Sequence, residues 1–269
     1  MTGALLGFLL AVSQDPEFVS PSGRTFYPRP DTAGVVAKAE SAVARAPRDV
    51  DTLIALGRAQ ASVWRYRDAV ATYTRAIGLA PERAVLYRHR GHRYISLREL
   101  AQAVSDMEHA AALDSTSFDI WYHLGLAYYL MGRFDDAAAA YGRTLGVARS
   151  ADDTVAASDW LWMALGRAGR AATGADVLVP IADSMAVREN LAYQQRLLFY
   201  KGRRSEAQLR ALMSAGDLER ATVGYGLATW RLVRGDTAAA RSLWREIVAG
   251  TYWPAFGFIA AEADLRRMP

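Results

Sequence analysis

An all-α solenoid of stacked helical hairpins is the fold class the sequence predicts, on three observations. Gly57, Gly91 and Gly125 follow one another at intervals of 34 residues, and their apolar surroundings repeat with them. Each copy reads as two antiparallel amphipathic helices, with small residues where helices must approach closely and large ones filling the gaps. No segment carries a strand pattern. One such pair cannot bury both of its apolar faces, so the copies must stack on one another.

Composition agrees. A chain of 269 residues is long for one compact core but ordinary for a repeat array, and 52% apolar residues exclude general disorder. No apolar run approaches the length of a membrane span. The formal charge of +4 is too small to imply nucleic acid, and the arginines are spread along the chain; Lys38 and Lys201 are the only lysines. With no cysteine, disulfides, thiolate zinc sites and cysteine nucleophiles are excluded.

The elements follow in order. Residues 4–12, ALLGFLLAV, are an apolar run ending in the small residues Ala11, Val12 and Ser13, the pattern of an export signal over 1–13. No Lys or Arg precedes Ala4, so a membrane anchor or a buried helix stays open as the other reading. Export would place the mature chain in the periplasm or outside the cell. Residues 14–30 carry four prolines and predict an extended arm. Pro47 lies 34 residues before Pro81, so DTAGVVAKAESAVARA (31–46) predicts the second helix of an incomplete first copy.

Three clear copies follow at 50–83, 84–117 and 118–151. In the third, Trp121, Leu124, Gly125 and Tyr128 precede Ala137 and Tyr141. In the first, Leu53, Leu56 and Gly57 precede Ala69, Tyr73, Ala76 and Pro81. In the second, Tyr87, Gly91 and Tyr94 precede Ala103, Met107 and Ala110. These residues resemble the tetratricopeptide repeat, with its Trp-x2-Leu-Gly-x2-Tyr, Ala-x3-Phe and Ala…Pro pattern. The resemblance implies a right-handed superhelix over 31–253, strong over 48–148 and weak after 155. Gly132, Gly169, Gly202 and Gly235, at spacings of 37, 33 and 33, mark the turns of degenerate copies at 152–187, 188–220 and 221–253. Pro254 opens PAFGFIAAEADLRRM, predicting a C-terminal capping helix over 254–269. Ser96 and Glu99 have the spacing of a capping box, and Asp236 that of an N-cap. The phrases LYRHRGHRYISL, IWYHLGLAYYL and WPAFGFIAAEADL are also similar to a family of exported bacterial repeat proteins, which implies no particular activity.

In tetratricopeptide repeats the leading helix of each pair lines a concave groove, through positions 2, 5, 9 and 12. The resemblance therefore implies a groove containing Arg58, Arg88, His92, Asp119, Tyr122 and Tyr129. Arg and Tyr are common interface anchors, and an arginine fork can hold a carboxylate in two hydrogen bonds, so a protein or peptide segment, acidic by first expectation, is the implied partner. The Lys and Asn of the family's carboxylate clamp are not present. Arg90 takes a slot the family fills with Leu, as Leu56 and Leu124 do here. A buried guanidinium needs a partner, and Asp119 or Asp106 is expected to supply it in a structural salt bridge stiffening copies two and three.

The function expected is a noncatalytic protein-interaction scaffold, with no catalytic residue, metal or cofactor and an oligomeric state left open. The alternative is an enzyme, or a small-ligand or metal-binding protein, using the Arg/His cluster of copies two and three, where His89, His92, His109 and His123 all lie. No HExxH, Walker or nucleophile-elbow motif supports it. The seven tryptophans are expected to be packing residues.

Overall fold

The computed structural model describes residues 15–268, so the export signal expected over 1–13 lies outside the described residues. A short antiparallel hairpin, β1 (Phe18–Val19) and β2 (Thr25–Phe26), is followed by α1 (Val35–Arg45), α2 (Val50–Ser62), α3 (Tyr66–Leu79), α4 (Ala84–Ser96), α5 (Leu100–Leu113), α6 (Phe118–Leu130) and α7 (Phe134–Gly146). Then come α8 (Ala151–Arg167), α9 (Ala171–Val177), α10 (Leu191–Tyr200), α11 (Glu206–Met213), α12 (Asp217–Val233), α13 (Thr237–Ala249) and α14 (Phe256–Arg267). The architecture is an α-solenoid of helical hairpins: each even-numbered helix from α2 to α12 leads a pair and the next odd-numbered helix completes it. No helix among the described residues is long and apolar enough to cross a membrane.

Packing within a hairpin depends on the recurring small residue. A Cβ added at Gly57 would lie 2.5 Å from the Tyr73 ring, and one at Gly125 would lie 2.9 Å from the Tyr141 ring. Polar caps fix several helix starts. Asp31 accepts from the backbone N–H groups of Val35, Val36 and Ala37, Asp49 from Thr52, Ser150 from Asp153, and Asp236 from Ala239. Ser96 is not a cap: α4 runs through it, and its hydroxyl donates to the His92 carbonyl. A capping box instead starts α11, between Ser205 and Gln208.

The turn inside each hairpin needs a left-handed residue. Gly132, Gly169, Gly202 and Gly235 supply it, with φ between 74° and 89°. The same slot in copies one and two is held by Trp64 (φ 63°) and Arg98 (φ 62°). A non-glycine residue there costs about 1–2 kcal/mol, so neighbouring contacts must hold it in place.

Those contacts come from the ends of the chain. The arm, expected to be extended, folds at β1 and β2, and Phe18 and Phe26 are buried because both stack on Trp253. Arg24 donates to the Val248 carbonyl (2.9 Å), Arg29 lies 3.6 Å over the Trp64 ring, and Trp64 packs edge-on against Tyr252 and Trp253. Helix α14 does more than cap the last copy. It packs on α12 and α13 and returns across the hairpin turns of earlier copies. A Cβ at Gly257 would lie 2.0 Å from the Ala221 carbonyl oxygen, so the α12–α14 approach permits only glycine there. The superhelix thereby closes on itself, with α8 in direct contact with α12 and α14 reaching α6.

Candidate functional site

Closure divides the inner face. Along copies three to six the leading helices turn aromatic side chains toward one another. Tyr129, Trp160 and Tyr225 are fully buried together, and the Tyr225 hydroxyl donates to the Asp264 carboxylate (2.8 Å) and accepts from the Tyr129 hydroxyl (3.0 Å). Asp264, itself fully buried, also accepts from Arg167 (2.8 Å) and Arg267 (2.7 Å). Arg196 and Asp159 form a second buried pair, 2.8 Å apart, and burial raises the Asp159 carboxyl to about 7 against the pull of Arg196.

Two residues expected to line an open groove are therefore interior. Tyr129 has no exposed surface, because α8 and α12 occupy the space in front of it. Tyr122 is buried among Phe118, Tyr141 and Phe256, its hydroxyl 3.4 Å from that of Tyr193. His92 is half-buried and lines an open hollow, as expected of a groove residue, with its ring 4.2 Å from that of His123 and 5.4 Å from that of Phe256, the first residue of α14. His123 donates from Nδ1 to the Asp119 carbonyl (2.6 Å). Burial, and then the charge of Arg88, hold His123 well below the ordinary histidine range; burial, and then Arg93, do the same for His92.

The open part lies on copies one and two. Two adjoining hollows of about 490 and 280 Å³ meet at Arg58, Arg88 and His89. One extends past Asp114, Ser117 and Asp119 at the start of α6. The other extends past Ala61, Ser62 and Arg93. Arg58 is exposed, with no hydrogen-bond or ion-pair partner among the described residues. Arg88 pairs with Asp119 (2.6 Å) and contacts Nδ1 of His89 (3.0 Å), while its Nε has no partner. Arg93 lies over the Tyr66 ring at 5.2 Å, and burial lowers its pKa. His89 stacks on Tyr73 at 5.2 Å, and burial, then Arg88, bring it down to about 4. The cleft is therefore cationic at neutral pH, with its histidines uncharged. Arg93 and His89 lie outside the four groove positions of the repeat. The signal that could have found them is adjacency on α4, one residue beyond His92 and Arg88 respectively.

Arg90 stands on another side of α4. It donates in a fork to Asp106 (2.8 and 2.7 Å) and singly to Thr74 (3.1 Å). Donating these hydrogen bonds to Asp106 raises its pKa. Asp106 belongs to α5 and Thr74 to α3, so the cluster joins copy two to copy one; the expected link to copy three is not made by Arg90, which faces away from α6, while Arg88 reaches Asp119 there.

Closure is secured at the turn of copy two. Arg98 donates to Glu262 (2.9 and 2.6 Å) and to the Trp253 carbonyl (2.9 Å), with its guanidinium 4.1 Å over the Phe18 ring. Burial outweighs the attraction within this pair, lowering Arg98 and raising Glu262. One copy further, Arg267 donates to the Leu130 carbonyl beside Gly132.

A family model described as a tetratricopeptide repeat matches residues 118–150, the third hairpin. The third hairpin is a tetratricopeptide repeat, and the other hairpins share its helical architecture. The small glutamine-rich tetratricopeptide repeat-containing protein 2 of Saccharomyces cerevisiae is 37% identical over 82 residues, covering 30% of this chain and 24% of its own. The heat-shock protein cognate (HSC) co-chaperone sgt12 of Aspergillus fumigatus is 28% identical over 120 residues, 42% of this chain and 35% of its own. The chain thus spans about a third or less of either relative. Among solved structures, a tetratricopeptide repeat protein from Parabacteroides merdae superposes over 87% of this chain and 93% of its own, with a TM-score of 0.57 and 16% identity. That likeness concerns the fold alone.

Proposed function

We propose that this tetratricopeptide repeat protein is a noncatalytic interaction scaffold that holds a segment of a protein partner across the inner face of copies one and two. The observation that carries the reading is the cationic cleft around Arg58, Arg88 and Arg93, in an array whose remaining inner face is occupied by its own aromatic residues. Arg58 and Arg88 are the anchors in contact with the segment, and Asp119 orients Arg88. The segment is acidic, because guanidinium forks match carboxylates and Arg58 is in no ion pair within the described residues. His92 forms part of the cleft wall, and Tyr122 packs behind it through His123. The apolar run at 4–12 favours a site of action outside the cytoplasm.

The test is binding of degenerate peptide pools enriched in Asp and Glu, in Lys and Arg, or in apolar residues. The acidic pool is expected to bind, to weaken steeply as salt rises from about 0.05 to about 0.5 M, and to lose about tenfold in affinity with Arg58→Ala. Equal binding of the basic or apolar pool, or indifference to Arg58→Ala, contradicts the reading.

A further inference from the structure

The cleft holds more guanidinium groups than carboxylates paired with them. Arg58, Arg88 and Arg93 line it, and the carboxylate paired there is Asp119, on Arg88. Asp114, at the rim, is occupied by the backbone N–H and hydroxyl of Thr116 (2.9 and 2.8 Å). His89 and His92 are neutral. Once the Arg88–Asp119 pair is set aside, Arg58 and Arg93 remain, two positive charges without an anionic partner among the described residues. Arg93 is partly withdrawn from water, and the Nε of Arg88 is buried and unbonded. Donors in that condition gain most from an added acceptor, since their desolvation has already occurred.

A carboxylate offers two oxygens and one charge. A phosphate monoester offers three strong acceptor oxygens and close to two charges at neutral pH. The position of the cluster adds a second constraint. It lies where two hollows meet, so the cleft continues on both sides of the arginines. A chain end anchored there would leave one side empty, whereas a side chain midway along a segment fills both.

We propose that the cleft recognises a phosphorylated serine or threonine within the partner segment, the phosphoryl group lying between Arg58, Arg88 and Arg93 and the flanking peptide running along both hollows. The inference rests on the groove reading above and narrows its ligand.

The experiment measures binding of the full chain to degenerate peptide pools that carry phosphoserine, glutamate or serine at a fixed central position, with inorganic phosphate as competitor. The phosphoserine pool is expected to bind at least about tenfold tighter than the glutamate pool. Arg58→Ala, at an exposed and unpartnered residue, is expected to erase most of that preference while circular dichroism stays unchanged. Arg93→Lys keeps the charge without the fork and is expected to reduce it. Equal affinity for the phosphoserine and glutamate pools overturns the phosphoryl inference and leaves the groove reading standing. Binding of neither pool overturns both. Binding of inorganic phosphate with no preference among the pools overturns the inference in favour of a free-anion site.

Discussion

Copies one and two and copies three to six use the same helical hairpin for opposite ends. At the last inner position of the leading helix, the three clear copies carry Ala61, Ile95 and Tyr129. At the position before it they carry Arg58, His92 and Leu126. The inner face thus grades from charged and small to large and apolar along the array. Where it is charged, a cleft stays open; where it is aromatic, α8, α12 and α14 close over it. A repeat's inner face is a groove only while its side chains are poor at packing on one another. Here the second half of the array, with the arm and α14, is a brace that fixes the shape of the first half.

The contrast can be broken most severely at Asp264. Asp264→Ala leaves Arg167 and Arg267 without their shared buried carboxylate and should cost about 3–5 kcal/mol, read as the loss of unfolding free energy in urea. Arg98→Gly sets two effects against each other. Glycine relieves about 1–2 kcal/mol of left-handed strain, while losing the buried partner of Glu262 costs about 3–5 kcal/mol. The net should be a loss of about 2 kcal/mol, and a gain in stability would show that the turn is not held by α14. His123 gives a smaller, pH-dependent effect. Its pKa is lowered on folding, so below about 6.5 the unfolded chain takes up a proton that the folded one does not. Stability therefore falls as pH drops through that value, by at most about 1.4 kcal/mol per unit from this residue, and the difference between wild type and His123→Asn should narrow by that slope. On the open side, Arg58→Ala should change stability by no more than about 0.5 kcal/mol, since the side chain is exposed and unpartnered.

The hairpin architecture was legible because it is a local, periodic property. Gly57, Gly91 and Gly125 recur at 34 residues, and each packs on a residue of the following helix in the same hairpin. Closure was not legible, because its contacts join residues far apart in sequence: Tyr129 with Tyr225 across 96 positions, and Arg98 with Glu262 across 164. A repeat pattern specifies neighbours and is silent on how far the superhelix curls, so Tyr122 and Tyr129 read as groove residues when they are core. Trp64 and Arg98 occupy the turn slot of Gly132 at the same period, but side-chain preference alone gives no reason to expect a left-handed backbone there. Ser96 carried a cap-like spacing and lost it because α4 continues for its full length. Arg90 showed its need for an acceptor by its place in the pattern; which carboxylate it takes is set by the face of α4 it occupies, toward α5 and away from α6.

The most direct test of the divided inner face replaces Phe256 with the photoreactive p-benzoyl-phenylalanine and maps the crosslinks by mass spectrometry. Attachment within the same chain to α4 and α6, at His92, Tyr122 or His123, is the expected result. Crosslinks confined to α12 and α13, or none within the chain, would mean that α14 does not cover the groove and that the whole inner face is open.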